Sequence, residues 1–204
     1  MKKLLSAALL IAACHANAQT EKGNWVITGA SKLGFNNGKT VSKSNGISVE
    51  GQKSTTLSFA PSAGYFVVKN LAVGIEFEYN LTTSHEEFPG PAGTENKKVK
   101  NILLSALPSL TYYFSTDSKA LPYIGAGAGY ALGRSKIQGD NIKNDTNFFH
   151  WKVKGGIAYM VSEKVAVDLG LNYDQLSTTY NFTGGSNKLY FKNFGAQIGI
   201  NIFL

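Results

Sequence analysis

From Asn24 to the last residue, large apolar side chains alternate with small or polar ones, and the alternation resets after each turn. An early segment carries Trp25, Ile27, Leu33 and Phe35 on one parity and Asn24, Thr28 and Lys32 on the other. Another sets Leu71, Val73, Ile75, Phe77, Tyr79 and Leu81 against Ala72, Gly74, Glu76, Glu78 and Asn80. In PYIGAGAGYALG, Ile124, Ala126, Ala128, Tyr130 and Leu132 face Gly125, Gly127, Gly129 and Gly133. Farther on, Phe149, Trp151, Val153, Ile157 and Tyr159 oppose His150, Lys152 and Lys154, and Val165, Val167, Leu169, Leu171 and Tyr173 oppose Asp168, Asn172 and Asp174. Two is the period of a strand; a helix repeats every 3.6 residues. The whole pattern predicts about eight strands, each near the roughly 9–11 residues that cross a bilayer when tilted.

The connections alternate as well. Asn36–Lys53, Thr83–Lys98, Ser135–Thr146 and Gln175–Lys188 are long and polar, whereas Val68–Asn70, Ser115–Ala120 and Ser162–Lys164 are short. Both termini then fall on the short-turn side. An even strand number with tight turns at one end and long loops at the other is the layout of a transmembrane barrel. In hydrocarbon every backbone N–H and C=O must pair within the protein, so the sheet has to close. The expected fold is therefore all-β, a closed antiparallel up-and-down transmembrane β-barrel. Pro61 and Pro108 lack an N–H and are expected where a ladder bond is dispensable, as at a bulge.

A soluble sandwich or a lipocalin-like carrier would show its polar parity to water. Here that parity is mostly Gly, Ala, Ser and Thr, which suits a narrow lumen better than a hydrated surface. Composition agrees: charged residues make up only 16% of the 204 positions, with 22 glycines, 10 tyrosines and 12 phenylalanines. Residues 1–18 read as a signal peptide, with Lys2 and Lys3, a ten-residue h-region Leu4–Ala13 and the Ala16-Asn17-Ala18 cleavage motif. That leaves 19–204 as the barrel domain. Ile11-Ala12-Ala13-Cys14 supports a competing reading, a lipobox in which Cys14 is acylated. Cleavage after Ala18 removes the only cysteine and takes the net charge from +7 to +5. The basic residues form no helix or continuous stripe, so no nucleic-acid partner is expected.

At PSAGYFVVKNLAVGIEFEYN, LPSLTYYF and LPYIGAGAGY the chain resembles the bacterial outer-membrane protein β-barrel domain family, small barrels akin to OmpA and OmpX. The resemblance spans 19–204. It implies an integral barrel in the outer membrane of a diderm bacterium, with outer-membrane lipids and lipopolysaccharide around it. It also implies the barrel assembly machinery as a partner. Such barrels usually end in an aromatic residue; here Phe203 is penultimate and Leu204 last.

The expected site is a lumenal charge network of Glu76, Glu78, His150, Lys152, Lys154, Asp168 and Asp174. Isolated ionised carboxylates are costly to bury. Lysines in the same interior would pair with them, and Lys152→Met is expected to do more damage than Lys152→Met with Glu76→Met. A second set forms two interfacial belts: Tyr79, Tyr130, Trp151 and Tyr173 near the long loops, Trp25, Tyr65, Tyr112 and Tyr159 near the short turns. No metal site or cofactor is expected. His150 and His85 lack matching acidic spacing, and GAGAGY puts Tyr130 where a dinucleotide loop has glycine. Ser58, Ser62, Ser105 and Ser109 are expected at other heights than His150, without a nucleophile elbow. The leading function is a non-enzymatic structural and surface-interaction protein with a side-chain-filled lumen. Its long loops, with Lys39, Lys43, Glu86, Glu87, Lys97 and Lys98, would meet any extracellular ligand. A small pore and an outer-membrane lipid-modifying enzyme are the alternatives.

Overall fold

The computed structural model describes residues 19–33, 54–90, 93–116, 118–137, 143–182 and 185–204. The signal segment with Cys14, and the connection 34–53 with Lys39 and Lys43, lie outside them. Eight strands follow one another: β1 Trp25–Leu33, β2 Ser54–Val68, β3 Leu71–Gly90, β4 Gly93–Tyr113, β5 Ala120–Ile137, β6 Lys143–Met160, β7 Val165–Phe182 and β8 Gly185–Phe203. Each pairs antiparallel with the next, and β1 pairs with β8, so the ring closes. Closure leaves no open edge among the described strands, as hydrocarbon demands.

The outward parity is apolar and bare. Phe77, Leu104, Leu169 and Phe194 are each at least half exposed, and such residues surround the ring on every strand. A water-soluble monomer rarely exposes so extensive an apolar surface; a lipid-embedded wall requires it. The inward parity holds the glycines, small polar residues and buried charges.

Two expectations are corrected by the register. The strands run well past bilayer length, up to 21 residues in β4. Of the four predicted long loops, Thr83–Lys98, Ser135–Thr146 and Gln175–Lys188 are mostly paired ladder: His85 stands opposite Lys98, Lys136 opposite Lys143, and Asn181 opposite Ser186. Antiparallel backbone pairing continues above the bilayer, where water hydrates both faces and the apolar alternation stops. The sequence signal therefore ended before the strands did. Nor do the prolines sit at bulges. The β2–β3 ladder lapses around Pro61, between Phe59↔Tyr79 and Ser62↔Glu76, and the β4–β5 ladder lapses around Pro108, between Ala106↔Tyr130 and Ser109↔Gly127. In both places the register resumes unshifted. The missing N–H interrupts each ladder for two residue pairs. The register shift in β2 falls instead between Phe66 and Val68. It leaves Phe66 buried inside and Val68 exposed outside.

At the short-turn end, Asn70 ties three segments together. Its φ of 68° lies in the left-handed region, which asparagine tolerates better than most residues. Its backbone N–H donates to the Thr20 carbonyl at 2.7 Å, and its carbonyl accepts from the Tyr113 N–H at 2.8 Å. Its side chain accepts from Thr20 Oγ1 and donates to Ser115 Oγ, both at 2.6 Å. Residues 19–24 are thereby held across the foot of the barrel, where the Gln19 amide also donates to the Glu163 carbonyl.

Candidate functional site

The lumen is filled in tiers, and the lowest is aromatic. Phe66 from β2, Tyr113 from β4, Tyr123 from β5 and Phe203 from β8 converge with Val26, Leu121 and Met160. Ring centroids of Phe66 lie 5.7 Å from Tyr113 and 6.4 Å from Phe203, and Tyr113 lies 5.8 Å from Tyr123. The inward parity was expected to be mostly small, and this tier shows where it is not. The signal was present: Leu107 and Tyr113 interrupt the polar parity of β4, and Phe66, Tyr123 and Phe203 are rings standing out of phase with the outward residues. Phe203, noted only for its place at the chain end, is buried in this plug.

Above it, Tyr123 lies over a bare patch of wall. Gly156 and Gly170 face each other across β6 and β7. A Cβ on Gly156 would stand 2.8 Å from the Tyr123 hydroxyl, and one on Gly170 would collide with the same oxygen. Over these glycines the Tyr123 hydroxyl reaches Asp168 Oδ2 at 3.2 Å, and Gln197 Nε2 donates to the same carboxylate oxygen at 3.2 Å. Among the described residues Asp168 has no lysine within ion-pair distance. Two neutral donors hold it instead of the cation the sequence suggested.

The central tier spans the barrel. From β6, Lys152 Nζ donates to Glu76 Oε1 and, at 2.8 Å, to Glu78 Oε1 on β3. Lys154 Nζ donates to Glu76 Oε2 at 2.8 Å. Glu76, Glu78 and Lys152 are all buried. Two lysines thus meet two glutamates from the opposite wall, and the cluster straps the walls together. Charges are balanced locally, which burial requires. The alternation EFE on β3 and KVK on β6 projects both pairs inward at matching height.

The upper tier joins His150, Asp174 and a residue expected elsewhere. His150 Nδ1 lies 3.0 Å from Ser105 Oγ, and His150 Nε2 lies 3.6 Å from Asp174 Oδ1. Ser105 is therefore at the height of His150, contrary to expectation. The two side chains reach over the inward glycines of the intervening β5, so strand position alone does not fix height. Asp174 also accepts from Asn172 Nδ2 at 3.0 Å and Asn193 Nδ2 at 3.2 Å. The order Ser–His–Asp resembles a hydrolytic triad, but the imidazole is fully buried and Ser105 is only 5% exposed. Catalysis needs room beside the hydroxyl for a reacting carbon and donors for the developing oxyanion. A serine this buried offers little such room, and its hydroxyl lies against His150. Among the described residues no cluster of His, Cys, Asp and Glu suits a metal ion.

The eight belt residues all stand on the outward parity. Trp25 packs on Tyr65 with centroids 5.3 Å apart, and Trp151 on Tyr173 at 5.5 Å. Tyr112 meets Phe114 edge-on at 5.1 Å, and Tyr130 meets Phe149 at 6.3 Å. Tyr79 and Tyr159 are exposed without a ring partner of this kind among the described residues. Trp25, Tyr65, Tyr112 and Tyr159 lie toward the short turns, the other four toward the ribbons.

Solved structures of outer-membrane barrels are similar to this one. OprG from Pseudomonas aeruginosa is 18% identical, over 91% of this chain and 98% of that one, with a TM-score of 0.50. Neisserial surface protein A is 19% identical over 89% and 97%, with a TM-score of 0.48. Ail, the attachment invasion locus protein of Yersinia pestis, is 11% identical over 90% and 99%, with a TM-score of 0.45. Likeness at these identities speaks to the fold alone. No curated protein matches the chain. The model of the family described as outer membrane protein beta-barrel domain matches residues 4–201. That match covers nearly the whole closed ring of strands, and the chain belongs to the outer membrane protein β-barrel domain family.

Proposed function

We propose that this outer-membrane protein is a non-enzymatic scaffold: a plugged barrel that anchors polar β-ribbons outside the cell for surface interaction. The observation that carries the reading is the pair of cross-lumen layers. Lys152 and Lys154 strap β6 to Glu76 and Glu78 on β3, and beneath them the rings of Phe66, Tyr113 and Phe203 close the short-turn end. An eight-stranded barrel has an interior just wide enough for side chains. Filling it this way supports a lumen closed to water at the aromatic tier.

The same filling argues against an enzyme working inside the tube, since no substrate reaches Ser105. Recognition would fall to the ribbons of β3–β4, β5–β6 and β7–β8. Outer-membrane lipids and lipopolysaccharide would surround the wall, the assembly machinery would insert it, and an extracellular ligand would meet the ribbon tips. No cofactor enters this reading.

Planar-bilayer recording separates the scaffold from a small pore. The purified barrel is expected to give no stable open level. Steady single-channel steps in the wild-type protein, surviving further purification, would replace the scaffold with a channel.

A further inference from the structure

The outer wall of β5–β8 carries a cleft of about 370 Å³ at its ribbon end. One cross-strand row builds it: Tyr130 stands opposite Phe149, Phe149 opposite Ser177, and Ser177 opposite Tyr190. In the next row toward the tips, Thr179 stands opposite Lys188. Aromatic walls thus enclose a hydroxyl-bearing floor with a cation at the upper edge. Lys192, two residues from Tyr190, projects from the same face of β8. Among the described residues neither Lys188 nor Lys192 has an acidic partner.

The height of the cleft matters as much as its lining. Immediately toward the short turns lies the Trp151–Tyr173 ring pair, of the kind found where hydrocarbon gives way to headgroups. Level with Tyr173 in the register, Val153 and Phe194 are apolar and exposed, and below them Leu171 continues the apolar face. A polar, cationic, aromatic-sided hollow therefore opens directly above a hydrocarbon-facing wall.

We propose that this cleft binds the phosphorylated sugar headgroup of a glycolipid anchored in the outer leaflet. Lys188 contacts the phosphate by a charge-assisted hydrogen bond. Phe149 and Tyr190 flank the sugar ring on either side of Ser177, the tyrosine presenting an apolar face with a polar tip. Ser177 and Thr179 bond its hydroxyls, and the acyl chains lie along Val153, Leu171 and Phe194. A soluble sugar phosphate would use the cleft but not the wall. A second copy of this chain, related by a twofold axis, would bring the same lysines face to face, and like charges at an interface are repulsive. The proposal rests on the outer-membrane placement and not on the plugged lumen, so a conducting barrel would leave it standing.

The test uses the refolded protein in phosphatidylcholine nanodiscs doped with a minor fraction of bis-phosphorylated lipid A, or with phosphatidylglycerol. Native mass spectrometry reads the lipid retained. The wild type is expected to keep a single lipid A and no phosphatidylglycerol. Lys188→Met should weaken retention about tenfold, the effect of losing one charge-assisted bond. Tyr190→Ala should weaken it too, while Lys164→Met, at the short-turn end, should change nothing. Heat-shifted gel mobility confirms that each variant folds. Equal retention by wild type and Lys188→Met, equal retention of both lipids, or a protein dimer in place of the lipid-bound monomer would overturn the proposal.

Discussion

Lys152→Met is expected to lower the stability of the folded barrel by about 3–5 kcal/mol, the cost of breaking a buried ion pair by removing one partner. Urea titration in lipid vesicles, followed by tryptophan fluorescence, measures it. Removing the ammonium leaves two carboxylates buried beside one lysine. Glu76 keeps Lys154, and Glu78 loses the lysine that faces it while keeping its other contacts. Adding Glu78→Gln or Glu76→Met should therefore recover part of the loss, by removing one of the two carboxylates from the cluster. The recovery matters because it separates an ion cluster from simple packing. If the lysine only filled space, methionine would replace it with little damage and neither second change would help.

Phe66→Ala is expected to cost a similar amount, about 3–5 kcal/mol, by opening a cavity in the lower tier. Phe66 is wholly buried and packs against the rings of Tyr113 and Phe203. Both are fixed to different strands, so the space cannot collapse cheaply. Phe66→Leu should cost less than half as much, because it retains most of the volume. The informative control is Phe77→Ala on the outer wall. There acyl chains flow into the space and no void remains, so the same urea titration should show a small change. Equal losses at Phe66 and Phe77 would mean that the rings at the foot of the barrel are not packed as described.

The strand order and the sidedness were legible because lipid imposes a strict rule on alternate residues. Ile75, Phe77 and Tyr79 had to be apolar, and Glu76 and Glu78 therefore had to point elsewhere. The inward placement of Lys152 and Lys154 follows from the same alternation. What alternation does not carry is which lumenal groups meet. Parity says that Ser105 and His150 share an interior, but it is the reach of their side chains over the intervening β5 that brings them to 3.0 Å. The aromatic foot escaped for a related reason. Once both faces of a strand are apolar, as near Phe66 and Tyr113, period two loses contrast. The ribbons escaped because their pairing is a backbone property: Thr83 to Lys98 reads as polar loop, yet the ladder needs only regular N–H and C=O groups.

The central claim is that one parity of every strand is dissolved in acyl chains while the other lines a dry, filled tube. Methyl-labelled protein in lipid nanodiscs tests it without mutation, through nuclear Overhauser contacts between acyl-chain protons and side-chain methyls. The account predicts strong lipid contacts at Ile75, Leu104, Leu169 and Ile200, and none at Leu107, Leu121 or Ala158. Lipid contacts at the second group, or water contacts in place of lipid at the first, would contradict it.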